Sequence, residues 1–361
     1  MNKKVVVGMS GGVDSSLTAM LLKEQGYDVV GLFMRNWREQ DTTGCCTADE
    51  DFQDVKDVCN KIGIPYYSVD FSHEYFDRVF KDFVEEYKKG RTPNPDVLCN
   101  KEIKFDRFLN YALSLGCDYV ATGHYCNVEH ENGKNYLCKA KDQNKDQTYF
   151  LNQVTSAQLE KVMFPVGNLN KNEVRALAEK FGLSTAEKKD STGICFIGER
   201  NFRQFLAQYI PMKSGVIKDL EGNIVGNHNG VYYYTLGQRK GLGIGGCKEG
   251  NGSRWFVADK DVKNNILYVS QGEPDILFNK GLIASGFNFI PQPPTENEFK
   301  CTARIRHRQP EQKCTAYILE DKSVKVIFDE PQRAIAPGQY VVLYRDKYCI
   351  GGGVIENIIK S

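Results

Sequence analysis

The chain has 361 residues, 41% hydrophobic and 26% charged, which is too long for one small core, fits two or three domains, and excludes collagen-like, mucin-like and disordered classes. With 47 Lys and Arg against 46 Asp and Glu the net charge is +1, so a globally basic nucleic-acid binder is excluded while a local basic face is not. No apolar run reaches the roughly 18 residues of a spanning helix, and the opening MNKKVVVGMSGG is too short in its apolar block for a secretory segment, so the expectation is a soluble, cytoplasmic protein.

Lys4–Met9 reads as a buried strand, followed by a Ser/Gly loop and a helix over about Ser15–Gln25. Tyr27–Met34 predicts a second strand, Asp49–Lys61 a helix ended by Gly63, and Tyr66–Asp70 a third strand. Glu74–Lys88 predicts a long amphipathic helix, Ile103–Leu115 a helix closed by Gly116, and Tyr119–Thr122 a fourth strand. This alternation argues for an α/β domain with a parallel sheet, whose ligands bind at the carboxyl ends of strands. Lys171–Tyr209 reads as helical. After Pro211 the pattern changes, with strand-like runs at Val231–Thr235, Trp255–Asp259 and Ile266–Ser270. Pro291-Gln292-Pro293-Pro294 marks a loop or linker, and Cys301–Ile359 alternates as in a small β-barrel. The expected domains are residues 1–204, a small central domain over 205–275, and a C-terminal β-barrel over 276–361.

The sharpest motif is Ser10-Gly11-Gly12-Val13-Asp14-Ser15-Ser16, between the first strand and the first helix. Its glycines let the backbone approach an anion closely, its hydroxyls and N–H groups face a ligand, and the helix N-terminus favours negative charge. It is not a Walker A loop, because G-x-x-x-x-G-K-[ST] is absent. Of the 12 cysteines, none forms C-x-x-C, so the usual zinc and iron–sulfur spacings are missing. Cys59, Cys117, Cys126, Cys138 and Cys349 read as small buried hydrophobes, and Cys301 and Cys314 as strand residues that pack. Cys99, in NPDVLCNKEIKF, and Cys195, in DSTGICFIGER, sit instead in polar loops ordered by Gly or Pro. Lys101 and Lys104 near Cys99, and a following helix N-terminus, would lower its thiol pKa. Asn94-Pro95-Asp96 suits either a helix cap or a site bearing a general acid/base, and the residues alone weigh the two evenly.

SGGVDSS resembles the signature of the PP-loop ATP pyrophosphatases, the adenine nucleotide alpha hydrolase-like fold. Together with Met34-Arg35-Asn36-Trp37, NPDVLCNKEIKF at 94–105, ATGHY at 121–125, KDQTYFL at 145–151, DSTGICFIGER at 190–200, YTLGQRKGLGIGG at 234–246 and the late PGQ and GGG, it makes nearly the whole chain resemble the tRNA-uridine 2-sulfurtransferases, the MnmA family. The resemblance implies ATP binding by Gly8, Met9, Ser10, Gly11, Gly12, Val13, Asp14 and Ser15, with Met34 at the adenine and Gly123 at the end of the fourth strand. It implies a place for Asp14 near the Mg-bound triphosphate. Cys195 would carry a persulfide, Cys99 would be the other catalytic thiol, and Asp96 a general acid/base. Asn94, Pro95 and Asp96 would meet the target base, and His124, Lys145, Asp146, Gln147, Arg306, His307 and Gln339 the tRNA. The substrates implied are ATP with Mg2+ and the anticodon loop of lysine, glutamate and glutamine tRNAs. A persulfide-donating relay protein or cysteine desulfurase would supply sulfur; no tightly bound metal or iron–sulfur cluster and no membrane is implied, and a monomer is the family's expectation.

The chemistry fits those parts. The uridine C2 oxygen leaves poorly until adenylated, and a protein-bound persulfide carries sulfur that would otherwise be free sulfide. Cys99 either attacks the persulfide and releases its outer sulfur, or resolves the intermediate after direct persulfide attack. A base that reacts must leave its stack, which suits an anticodon loop. Two local basic stretches would hold phosphates: Lys88, Lys89, Arg91, Lys101 and Lys104; and Arg304, Arg306, Arg308 and Lys313, with Arg306 and Arg308 expected on one side of a strand. His307 stands where the family often has Tyr, which would weaken stacking or make it pH-dependent. Thr148 replaces the commoner Ser, and the paired Cys45-Cys46 departs from the pattern, as a variable loop or as an influence on sulfur transfer. The rival readings are an amine-using PP-loop enzyme, a non-catalytic tRNA-binding protein, and a sulfurtransferase with an unusually ligated iron–sulfur cluster.

Overall fold

The computed structural model describes residues 2–37, 47–190, 202–244, 253–272 and 274–360; Cys45, Cys46 and Cys195 lie outside them. In the first domain, strands β1 (Lys4–Met9), β2 (Asp28–Arg35), β3 (Tyr66–Asp70), β4 (Tyr119–Ala121) and β7 (Val162–Met163) form one parallel sheet in the order β3-β2-β1-β4-β7. The three valines of β1 show why it is a central strand. Val5 and Val7 enter the core on the side of helices α1 (Val13–Glu24) and α2 (Thr47–Ile62), and Val6 enters the core on the other face. A strand covered on both sides has no polar face, so its sequence reads as a continuous apolar run. The strand order turns outward in both directions from β1, which puts the open crevice between the carboxyl ends of β1 and β4.

Two long helices carry π-helical segments. Helix α3 runs over residues 72–88 and includes Phe76–Phe80 as its π segment; α4 runs over 95–114 and includes Asn100–Phe108. The sequence starts α4 at Ile103, but it starts at Pro95. Asn94 is the N-cap, its Oδ1 accepting from Val97 N at 3.3 Å; Pro95 takes the first helical position and Asp96 the first turn. Those are three helix-starting preferences in a row.

Between β4 and β7 the chain forms a hairpin, β5 (Asn127–Glu131) with β6 (Lys134–Cys138), that sequence reading missed. It leaves its own domain and pairs with the last strand of the C-terminal domain, Leu137 opposite Cys349. The helical stretch expected over Lys171–Tyr209 is shorter: α5 (Lys171–Lys180) stops before Gly182, which has φ +64°, and α6 is Phe202–Ala207.

The central domain is a four-stranded sheet in the order β10-β11-β8-β9, made of β8 (Gly215–Lys218), β9 (Ile224–His228), β10 (Trp255–Asp261) and β11 (Ile266–Gln271). Val231–Thr235, expected as a strand, is instead a 3-10 turn at Val231–Tyr233, because His228 and Asn265 bind its leading backbone N–H groups. The C-terminal domain is a closed barrel of β12 (Phe278–Phe289), β13 (Glu298–Arg304), β14 (Gln312–Ile318), β15 (Val324–Arg333), β16 (Tyr340–Arg345) and β17 (Tyr348–Lys360), closed by β12 against β17. The proline-rich segment at 291–294 is a turn inside this barrel, between β12 and β13, and not a domain linker. Polar ties join the domains: Lys260 Nζ donates to Gly90 O and Tyr234 O, Thr92 N to Pro337 O at 2.9 Å, and Gln153 Nε2 to Gly352 O at 2.7 Å. Among the described residues no helix is long and apolar enough to cross a membrane.

Candidate active site

The glycine loop joins β1 to α1 at the crevice. Gly11 has φ +74°, and a Cβ there would lie 2.6 Å from Asp51 O, so both conformation and space require glycine. Gly123, just beyond β4, is as constrained: a Cβ would lie 2.7 Å from Asp14 C and 2.8 Å from Ser15 N. The end of β4 therefore rests on the first turn of α1. Gly8, Met9, Val13 and Ser15 are buried, and Ser10 is exposed. The loop hydroxyls do not all face outward as expected. Ser15 and Ser16 donate to Gly12 O at 3.0 and 2.9 Å, and Ser15 Oγ also accepts from Ser10 N at 3.2 Å. These hydroxyls shape the loop, leaving its exposed N-terminal side to meet a ligand. Met34, near the end of β2, is half-buried.

Asp14 anchors a charge network that the sequence did not reveal. Its carboxylate accepts from Tyr125 OH at 2.8 Å and from Lys171 Nζ at 2.7 and 2.9 Å. Lys171 Nζ is also 2.8 Å from Asp190, which in turn meets Lys145 at 2.8 Å and Arg175 at 3.0 Å. Burial would raise the Asp190 carboxyl, but hydrogen bonds from Lys145 and Lys171 overcome it and bring its pKa from 3.8 down to about 2. Lys171 is nine-tenths buried at the start of α5, whose Asn170–Glu173 capping box orients that turn. The capping box was the local signal for Lys171; Tyr125 stood only as the last residue of ATGHY, and Arg175 carried no signal.

The second half of the site is the start of α4 with the segments around it. Asp96 and Cys99 are three residues apart on that helix and share a face. Burial holds the Asp96 carboxyl above its ordinary value, while the charge of Lys104 and the ring of His307 oppose the shift. The same lysine reinforces the burial that pushes His124 well below the usual imidazole value; His124 Nδ1 and Thr122 Oγ1 are 2.8 Å apart. Cys99 differs from expectation. It lies on the helix and not in a polar loop, 1% exposed among apolar neighbours that include Val97 and Ile103, because Asn94 starts the helix before it. Gln339, just before β16, donates to Thr92 O at 2.8 Å and accepts from Asn94 Nδ2 at 3.5 Å. Asn94 and buried Pro95 are thus held in place by the barrel.

The expected tRNA-contacting segments converge on the same junction but turn many side chains inward. Asp146 is buried and receives Ala140 N, Thr148 Oγ1 and Arg304. Gln147 Oε1 accepts from Tyr125 N at 2.9 Å. Arg306, His307 and Arg308 lie on a turn after β13, not on a strand, because β13 ends at Arg304. Arg306 donates to Leu236 O and Ala334 O at 3.3 and 3.0 Å. His307 donates through Nε2 to Asp146 O at 3.0 Å, packs on Phe150 at 4.3 Å between ring centroids, and has its pKa lowered by burial despite that hydrogen bond. Arg304 pairs with Asp146 and Glu311, and Arg308 and Lys313 remain exposed. Of the other basic stretch, Lys88, Lys89 and Arg91 pair with Glu85, Glu86 and Glu356. Among the described residues, no group of three or more His, Cys, Asp or Glu side chains is placed to hold a metal ion.

Comparison with known proteins gives three family matches in chain order: a tRNA methyl transferase HUP domain over residues 3–199, a tRNA methyl transferase PRC-barrel domain over 203–271, and an aminomethyltransferase beta-barrel domain over 279–355. The chain is 58% identical over 358 residues to the tRNA-specific 2-thiouridylase MnmA of Alkaliphilus oremlandii, covering 99% of this chain and 98% of that protein. It is also 58% identical over 360 residues to the tRNA-specific 2-thiouridylase MnmA of Halalkalibacterium halodurans, covering 99% and 96%. Among solved structures, a 4-thiouridine synthetase–RNA complex with bound ATP shares 15% identity over 58% of this chain and 50% of that one, at a TM-score of 0.36, a likeness too distant to bear on the reading.

Proposed function

Because the chain belongs to the tRNA-specific 2-thiouridylase MnmA family, we propose that it replaces the C2 oxygen of the wobble uridine in tRNA by sulfur, consuming ATP with Mg2+ and releasing AMP and pyrophosphate. The observation that supports this most is the single helix face carrying Asp96 and Cys99 at the junction where Lys104, His124 and His307 converge.

In this reading the glycine loop and the N-terminus of α1 receive the triphosphate, with Gly123 close enough to leave room for no side chain. Lys171 is the cation in place to turn from Asp14 to the phosphates, freeing the Asp14 carboxylate for the substrate's Mg2+. Asp96, with its raised pKa, takes the uridine N3 proton as O2 attacks the α-phosphorus and pyrophosphate leaves. Sulfur then displaces AMP at C2. In one route Cys99 attacks the inner sulfur of a Cys195 persulfide and the released sulfide attacks C2; in the other the outer persulfide sulfur attacks C2 and Cys99 cleaves the resulting bond. Both leave a Cys99–Cys195 disulfide, and a two-electron thiol reductant restores the pair. Cys99 is buried, so either route requires that tRNA or the persulfide donor uncover it. The tRNAs proposed are those for lysine, glutamate and glutamine, with a relay protein or cysteine desulfurase loading Cys195.

The test is to incubate the protein with ATP, Mg2+, unmodified tRNA and a sulfide source and to look for thiolated tRNA. With a protein persulfide donor, C99S and C195S are both expected to lose product. Retention of activity by both variants would remove the relay.

A further inference from the structure

Two thiols far from the glycine loop form a pair of their own. Cys301 on β13 and Cys314 on β14 stand directly opposite each other in the antiparallel register. Their Sγ atoms are 3.5 Å apart, and Cys314 Sγ is 3.6 Å from Cys301 O. Residues opposite each other in an antiparallel pair have Cα atoms about 4.5–5.5 Å apart, within the range a disulfide spans. Closing the gap to about 2 Å needs a side-chain rotation and not a strand displacement. Cys314 is buried and Cys301 is partly exposed, so a small oxidant meets Cys301 first and Cys314 lies ready behind it.

The pair sits at the root of the turn between β13 and β14. The segment joining β13 to β14 carries Arg306, His307 and Arg308, and closes through Arg304 with Glu311 at 3.0 Å and Ile305 N with Gln309 at 3.0 Å. A link between Cys301 and Cys314, three residues outside the Arg304–Glu311 pair on each strand, restrains the whole turn.

We propose that Cys301 and Cys314 are an oxidisable dithiol that forms a reversible disulfide across β13 and β14 and stiffens the Arg306–Arg308 turn. The step with a peroxide balances. Cys301 thiolate attacks one peroxide oxygen, giving a sulfenic acid and one water after proton uptake. Cys314 sulfur then attacks the Cys301 sulfur, the S–O bond breaks, and a second water leaves. The two thiols lose two electrons and the peroxide gains them. A small dithiol reverses the reaction by exchange. This inference does not depend on the thiolation reading.

The experiment treats the full chain with hydrogen peroxide, alkylates the remaining thiols and maps the fragments by mass spectrometry without reduction. A linked Cys301–Cys314 fragment is expected, lost after dithiothreitol and absent from C301S and C314S. Amide exchange at residues 306–309 is expected to slow roughly tenfold in oxidised wild type and not in C301S. Full alkylation of both thiols after Cys117 has been oxidised would overturn the dithiol, and a linked fragment with unchanged exchange would overturn the restraint on the turn.

Discussion

Lys171 Nζ lies 2.7 Å from Asp14 and 2.8 Å from Asp190, so one nearly buried ammonium joins the carboxylate of the glycine loop to the first residue of the DSTGICFIGER motif. A cation so placed balances two carboxylates, and in the proposed function it would turn to phosphate oxygens once Mg2+ takes Asp14. K171M should therefore lower kcat about 10²-fold or more, the scale for removing one charge-stabilising contact in a transition state. K171R should recover part of it. Steady-state kinetics with ATP as the varied substrate checks this, with tRNA binding measured alongside; unchanged kcat and KM in K171M would remove the role.

Acid stability follows from Asp190. Its folded pKa of about 2 lies below the 3.8 of the free group. A depressed carboxylate contributes stability above its unfolded pKa and loses it as pH falls through the folded one, so the window is about pH 4 down to 2. For a carboxylate one-third exposed, solvent screening reduces the contribution to about 1 kcal/mol. D190N should flatten the pH dependence of urea unfolding in that window by this amount.

Asp96 should shape the rate profile. Its carboxyl is held above the ordinary range by burial, and a base works only when deprotonated. Thiolation rate should rise with pH through an apparent pKa higher than a free aspartate's, and D96N should lose both that limb and most of the rate. A D96N enzyme that keeps the limb would assign it to another group.

The burial of Cys99 gives a kinetic prediction. At 1% exposure, the thiol should alkylate slowly in the protein alone, more slowly than half-exposed Cys117, and faster once unmodified tRNA and ATP are bound. Timed iodoacetamide labelling with mass readout measures both rates. Equal rates with and without tRNA would show that substrate does not uncover it.

Asp146 and Arg304 form an ion pair with side-chain exposures of 0% and 10% between the first domain and the barrel. R304M would strand a buried carboxylate, at a cost of about 3–5 kcal/mol, and R304M with D146N should recover part of it. Denaturant unfolding of the two variants checks this. If D146N alone changed KM for tRNA while leaving stability intact, Asp146 would be a contact residue and not a structural one.

Local pattern determined a good deal here. β1 follows directly from an apolar run ended by turn residues, and the glycine loop follows from Gly11 and Gly12 between a strand and a helix. The barrel over the last quarter follows from alternation, and its closure leaves its strands no open edge to protect. Tertiary structure decided the rest, for one physical reason: a side chain's partner can come from anywhere in the chain. Arg304 and Arg306 look like a phosphate-binding stripe in sequence, yet Asp146 and two backbone carbonyls, each distant in the chain, take up their donors. Asp14 looks free to meet a metal ion, yet Lys171 neutralises it across 157 positions. Cys99 looks like a loop thiol, and the cap formed by Asn94 draws it onto a helix and into the core. The β5–β6 hairpin, too short to be stable alone, exists because β17 of another domain offers it an edge.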